Sequence, residues 1–105
     1  MRILIFFDLP TLTDDERSAY RHFRKFLIEN GFVQMQESVY TRIVLNSTQA
    51  TTVTDNIVKN KPDHGLVQLL TITEKQFSRI INITGKVSSP YLLSDDRLVI
   101  IGDKE

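Results

Sequence analysis

The sequence predicts an α+β domain in which strands and helices alternate. Three observations carry this. A continuous apolar run, Ile3-Leu4-Ile5-Phe6-Phe7, opens the chain. Two helix-start signatures, Thr13-Asp14-Asp15-Glu16 and Thr73-Glu74-Lys75-Gln76, follow extended segments. Between them lie stretches whose apolar residues recur at either strand or helix spacing.

The elements follow in order. The run Ile3 to Phe7 has the pattern of a strand buried on both faces, and Leu9-Pro10 ends it, because proline has no N–H to give a ladder. Thr13 and Glu16 form a capping box, and Asp14 and Asp15 complement the positive end of the helix dipole. Ala19, Tyr20, Phe23, Phe26 and Leu27 make one apolar helix face, and Asn30-Gly31 stops it. Phe32 to Gln36 and Val39 to Leu45 read as strands, with a bulge or tight turn at Gln36-Glu37-Ser38. Ser47 or Thr48 caps a second helix to about Lys59, with Ala50, Val53 and Ile57 inward. Four threonines between 48 and 54 leave it dependent on packing. Lys61-Pro62-Asp63-His64-Gly65 is a loop, and Leu66 to Thr73 a strand. The second capping box opens a short helix carrying Phe77, Ile80 and Ile81 inward. Ser88-Ser89-Pro90 and Ser94-Asp95-Asp96 are turn-like, and Arg97 to Ile101 is a late strand.

The core order is strand–helix–strand–strand–helix–strand, the βαββαβ sandwich of a ferredoxin-like domain, with an additional C-terminal helix and strand. Residues 1–105 form a single domain, since two cores need a longer chain. The strand at residues 97–101 needs an edge to pair with, its own or that of a partner subunit, which predicts a homodimer.

Composition narrows the function. The chain is 41% hydrophobic and 25% charged, as in a folded globular domain. Thirteen basic and thirteen acidic residues cancel, so a nucleic-acid partner rests on charge distribution alone. With no cysteine and only His22 and His64, thiolate and histidine-cluster metal sites are excluded. No apolar run is long enough to cross a membrane, and Asp8 and Pro10 interrupt any signal-like start after Arg2, so a cytoplasmic location is expected. Four scattered glycines make no phosphate-binding loop. The aromatic-rich strand of an RNA-recognition motif is missing too.

Asp8 stands where the apolar strand meets its loop. A carboxylate there is open to a divalent cation, or else it initiates the turn before Leu9-Pro10. No second acid lies at ligand spacing, but two-fold symmetry supplies another Asp8. Arg17, Arg21 and Arg24, with Lys25 beside them, form a basic stripe at helical spacing. It suits phosphate contact without sequence readout, or is simply a solvated face with Asp14 and Glu16 as neighbours. His22 and His64 are surface histidines.

Ile5-Phe6-Phe7-Asp8-Leu9-Pro10, the basic helix with Arg17, Arg21 and Lys25, and Gly31 before Gln36-Glu37-Ser38-Val39-Tyr40 resemble the family of CRISPR-associated protein two. Thr71 to Phe77 and the Asp96 to Gly102 ending resemble the type II variant. The resemblance implies a homodimer whose C-terminal strand crosses to the partner's sheet. It implies a place beside the CRISPR integrase (CRISPR-associated protein one), holding protospacer duplex DNA during spacer acquisition. It also implies a nuclease site using Mg2+ or another divalent cation at the dimer axis, with Asp8 as ligand and catalytic residue, and with RNA as a further substrate in an endoribonuclease. Three functions are therefore expected to compete: an architectural adaptation subunit, a metal-dependent endonuclease or endoribonuclease, and a small-molecule regulatory domain of the kind this fold often hosts.

Overall fold

A computed structural model of the chain describes residues 1–85 and the strand Val99–Ile100. The elements run β1 (Arg2–Asp8), α1 (Asp14–Glu29), β2 (Val33–Gln36), β3 (Val39–Ile43), α2 (Ser47–Lys59), β4 (Leu66–Ile72), α3 (Glu74–Phe77), β5 (Ile81–Asn82) and β6 (Val99–Ile100). The first six are the expected βαββαβ core. They build a four-stranded antiparallel sheet in the order β2-β3-β1-β4.

The apolar run becomes β1 because an inner strand is covered on both faces. Ile3, Ile5 and Phe7 point to the helices, where Phe23 and Leu27 of α1 and Ala50, Val53 and Ile57 of α2 complete the main core. Leu4 points to the opposite face and meets Phe77, with Phe6, Met35, Ile72 and Ile80 around them. Thus α1 and α2 cover one face, while α3 covers only part of the other.

Both capping boxes form. Thr13 and Glu16 cap each other's amides at α1, and Thr73 and Gln76 do so at α3. Gly31 leaves α1 at a φ of 86°, the left-handed backbone expected there. The tight turn falls at Glu37-Ser38, within the expected stretch, and the register shifts just before it, between Gln34 and Gln36.

Several expectations need correction. The cap of α2 is Asn46, whose Oδ1 accepts from the Gln49 amide at 2.9 Å; Ser47 and Thr48 lie inside the helix. Three adjacent residues can all cap, and only the turn geometry chooses. Ala19 is exposed rather than part of the apolar face of α1. β3 stops at Ile43, and Leu45 is exposed. β4 ends at Ile72, because Thr73 serves α3. Phe77 is buried and Ile80 packs beside it, but Ile81 faces solvent because the chain has already entered β5. β5 itself was not expected. It pairs in parallel with β6 through Ile81↔Val99 and Asn82↔Ile100. The remainder of the 97–101 strand and the turn-like stretches 88–90 and 94–96 lie outside the described residues.

Candidate functional site

Asp8 is the last residue of β1, opposite Leu66 at the start of β4. Strand alternation puts it on the face of Arg2, Leu4 and Phe6, away from α1 and α2. It is exposed, while Phe7 and Leu9 on either side are buried. Two buried neighbours therefore hold the backbone while the carboxylate projects.

The surrounding loops tighten that placement. Gly65 adopts a φ of 92°, and a Cβ there would sit 2.8 Å from the Asp8 carbonyl oxygen and 2.7 Å from Leu9 Cδ2. Only glycine lets the loop before β4 approach this strand end so closely. On the other side, the Leu12 and Thr13 amides both donate to Glu16 Oε1, at 2.9 and 3.0 Å. The backbone bond from Thr13 is the largest influence holding the Glu16 carboxyl below its usual range. Arg17 Nη1 donates to the carbonyls of Thr11 and Leu12, and its Nη2 pairs with Asp14. The loop leaving Asp8 is thus braced from within its own helix.

The Asp8 carboxylate makes no hydrogen bond or ion pair among the described residues. Nor do three His, Asp or Glu side chains gather into a metal cage among them. A lone, exposed, unpaired carboxylate still suits half of a magnesium site, because magnesium keeps most of its waters and takes one or two carboxylates plus substrate phosphates. The donor set of one chain fits such a half-site and no more.

The four basic residues differ in how their side chains are held. Arg17 is committed to the loop. Arg24 Nε donates to Tyr40 Oη at 2.8 Å. Arg21 and Lys25 are exposed without partners among the described residues. Lys25 and His22 line a groove of about 480 Å³ against Lys61, Pro62 and Asp63. His64 lines an adjoining one of about 250 Å³ with Asp15 and Glu16. Asp8 lines neither.

Sequence reasoning missed a second charged position on the face of Asp8. Arg2 is buried, donating from Nε to Glu74 Oε2 at 2.9 Å and from Nη2 to Glu74 Oε1 at 2.7 Å. Its guanidinium lies 3.9 Å from the centre of the Phe77 ring. The hydrogen bond from Arg2 is the chief reason the Glu74 carboxyl sits below its ordinary value. This clamp ties α3 to the sheet. No local signal announces it, since the partners are 72 positions apart.

The sheet face that carries Asp8 exposes apolar side chains along its length. Ile43, Leu66 and Leu70 alternate onto it and are each about half exposed, at 51%, 56% and 51%. Exposed apolar side chains sharing one sheet face make that face a candidate interaction surface. Among the described residues, no helix is long and apolar enough to cross a membrane.

Comparison with known proteins places this arrangement. The family model of CRISPR associated protein Cas2 matches residues 1–80. The CRISPR-associated endoribonuclease Cas2 of Treponema denticola is 46% identical over 101 residues, covering 96% of this chain and 100% of the relative. The protein of the same name from Streptococcus mutans is 45% identical over 103 residues, covering 98% and 94%. The crystal structure of Streptococcus pyogenes Cas2 at pH 6.5 superposes with a TM-score of 0.59 at 18% identity, over 76% of this chain and 95% of that one, a likeness of fold. Matched by the family model along its whole βαββαβ core and by close relatives along nearly its full length, the chain belongs to the CRISPR-associated protein Cas2 family.

Proposed function

We propose that the protein is a homodimeric subunit of CRISPR spacer acquisition that stands beside the CRISPR integrase and helps hold protospacer duplex DNA. The observation that carries this reading is the open sheet face, where Asp8, unpaired among the described residues, lies opposite half-exposed Leu66, with half-exposed Leu70 farther along β4 on the same face. A second copy of the chain covers such a face and brings a second Asp8 toward the first. The C-terminal strand, paired with β5 through Val99 and Ile100 on one edge, keeps its other edge for the partner's sheet. Helix α1 offers Arg17, Arg21, Arg24 and Lys25 to phosphates. Arg17 does so with a guanidinium already bonded to the loop.

A second reading, metal-dependent endoribonuclease, is favoured by the relatives named as endoribonucleases and by the same Asp8. Paired Asp8 carboxylates would hold the divalent ion, and Leu9 and Gly65 would keep them in place. A bound magnesium ion supplies charge stabilisation to a phosphoryl oxygen and lowers the pKa of bound water. Among the described residues no second acid or histidine is held against Asp8 to take a proton, so slow hydrolysis is expected.

One experiment tests both. The protein is sized by light scattering and then offered the integrase with a DNA duplex. A dimer that co-purifies with both supports the architectural reading, and a monomer at micromolar concentration overturns it. Asp8→Asn with intact spacer integration and lost cleavage assigns hydrolysis to Asp8 and acquisition to the scaffold.

A further inference from the structure

The four basic residues of α1 differ in how their charged ends are held. Arg17 engages both Nη groups within its own loop and helix. Arg21 and Lys25 are untethered among the described residues. Arg24 is intermediate. It donates only from Nε, to Tyr40 Oη at 2.8 Å, and its Nη1 and Nη2 have no partner among the described residues.

The acceptor is unusually well fixed. Tyr40 is fully buried and stacks on Phe7 with ring centres 5.6 Å apart. Phe7 is in turn held edge-on by Phe23 at 5.3 Å and Tyr20 at 5.8 Å. The hydroxyl is therefore anchored by an aromatic cluster within the main core. Burial pushes the phenol above its ordinary pKa, so its oxygen is a neutral acceptor for the Arg24 Nε–H.

We propose that Tyr40 is a positioning residue, whose hydroxyl holds Arg24 by Nε so that the free Nη1/Nη2 fork meets a backbone phosphate of a nucleic-acid duplex. The proposal rests on the nucleic-acid reading of α1. A guanidinium fork matches phosphate geometry, and one anchored donor leaves the other two parallel and available. Ordering a long side chain on binding weakens affinity, and the tether removes part of that cost before the duplex arrives. A buried phenol also needs a hydrogen-bond partner for its own sake. A purely structural pair and a positioning pair therefore look alike in the structure but differ in DNA binding.

The test uses a short random-sequence DNA duplex, titrated by fluorescence anisotropy at several salt concentrations. Tyr40→Phe keeps the ring and frees Arg24. It is expected to weaken binding roughly two- to tenfold, the cost of ordering one such side chain, with the salt slope unchanged. Arg24→Gln is expected to reduce the slope by about one unit. The double variant is expected to bind no more weakly than Arg24→Gln alone, because the two residues act through one contact. Should Tyr40→Phe not fold, Arg24→Lys keeps the charge without the fork, and the same loss at unchanged slope is expected. If Tyr40→Phe and Arg24→Lys bind like the wild type while Arg24→Gln weakens, the positioning role is wrong and the nucleic-acid reading stands. If Arg21→Gln and Arg24→Gln both leave affinity and slope unaltered, α1 is no nucleic-acid interface and both fall.

Discussion

Arg2 and Asp8 stand at opposite ends of one seven-residue strand and on the same sheet face, yet the fold treats them in opposite ways. Arg2 is buried, paired in bidentate fashion with Glu74 and laid over Phe77. Asp8 is exposed and unpaired among the described residues, although Gly65 and the loop braced by Glu16 and Arg17 hold its backbone closely. A charge that the chain neutralises internally serves its own architecture. A charge held in place but left without a partner is available to something outside the chain. The contrast makes Asp8 the better functional candidate, because its carboxylate remains free to meet a ligand while the Arg2 guanidinium is already used inside the fold.

The largest expected effect is on activity at the Asp8 end. Asp8→Asn should lower metal-dependent phosphodiester cleavage about a hundredfold or more, since metal-assisted charge stabilisation contributes several kcal/mol. Its folding free energy should stay within about 0.5 kcal/mol of wild type, as for other exposed positions. Cleavage that survives in Asp8→Asn with excess chelator would show that the hydrolysis arises elsewhere.

At the other end the effect moves from activity to stability. Arg2→Met should destabilise the fold by about 2 kcal/mol, measured by urea denaturation. Breaking a fully buried pair costs more, but the Glu74 side chain is 40% exposed and water takes over part of its solvation. A loss below about 0.5 kcal/mol would mean that the clamp is ornamental and would erase the contrast with Asp8.

Gly65→Ala probes the placement of Asp8 without touching its charge. The new Cβ meets a backbone carbonyl at 2.8 Å in a left-handed conformation, so a loss of about 1–2 kcal/mol is expected. Cleavage should fall along with stability. Unchanged activity in a destabilised variant would show that the strand end need not be held so tightly.

The smallest effect is the pH dependence of the clamp. The Glu74 carboxyl is held below its ordinary value of 4.5, chiefly by the hydrogen bond from Arg2, so the folded state binds its proton less readily than the unfolded chain. Its contribution is present above that ordinary value and is lost as pH falls through the lower folded value. Glu74→Gln should flatten the acid side of the stability profile. An acid limb identical in wild type and Glu74→Gln would remove the clamp from acid unfolding.

How much of this was legible depends on how far apart the interacting groups lie. Thr13 with Glu16 and Thr73 with Gln76 were readable because a capping box needs only residues three apart. The α2 cap slipped to Asn46 because Asn46, Ser47 and Thr48 satisfy the same chemistry and only the turn chooses among them. Asp8 was visible as the point where an apolar run ends in a charge, and the glycine at 31 as a helix stop. The basic stripe was visible as spacing, but spacing could not show that Arg17 turns into its loop and Arg24 reaches a buried tyrosine. β5 escaped because two residues carry no periodicity.

By itself, then, the sequence determined the order of the core elements, the helix starts at Thr13 and Thr73 and the charge at the end of β1, because each follows from the chemistry of near neighbours along the chain. Only the tertiary structure decided that Arg2 would be buried and Asp8 left free. That choice depends on α3 folding back to bring Glu74 against a residue 72 positions away, while no charged group among the described residues is brought against the carboxylate at the other end of the strand. Burial and pairing across such distances are properties of packing, and packing is set by which surfaces meet rather than by which residues adjoin.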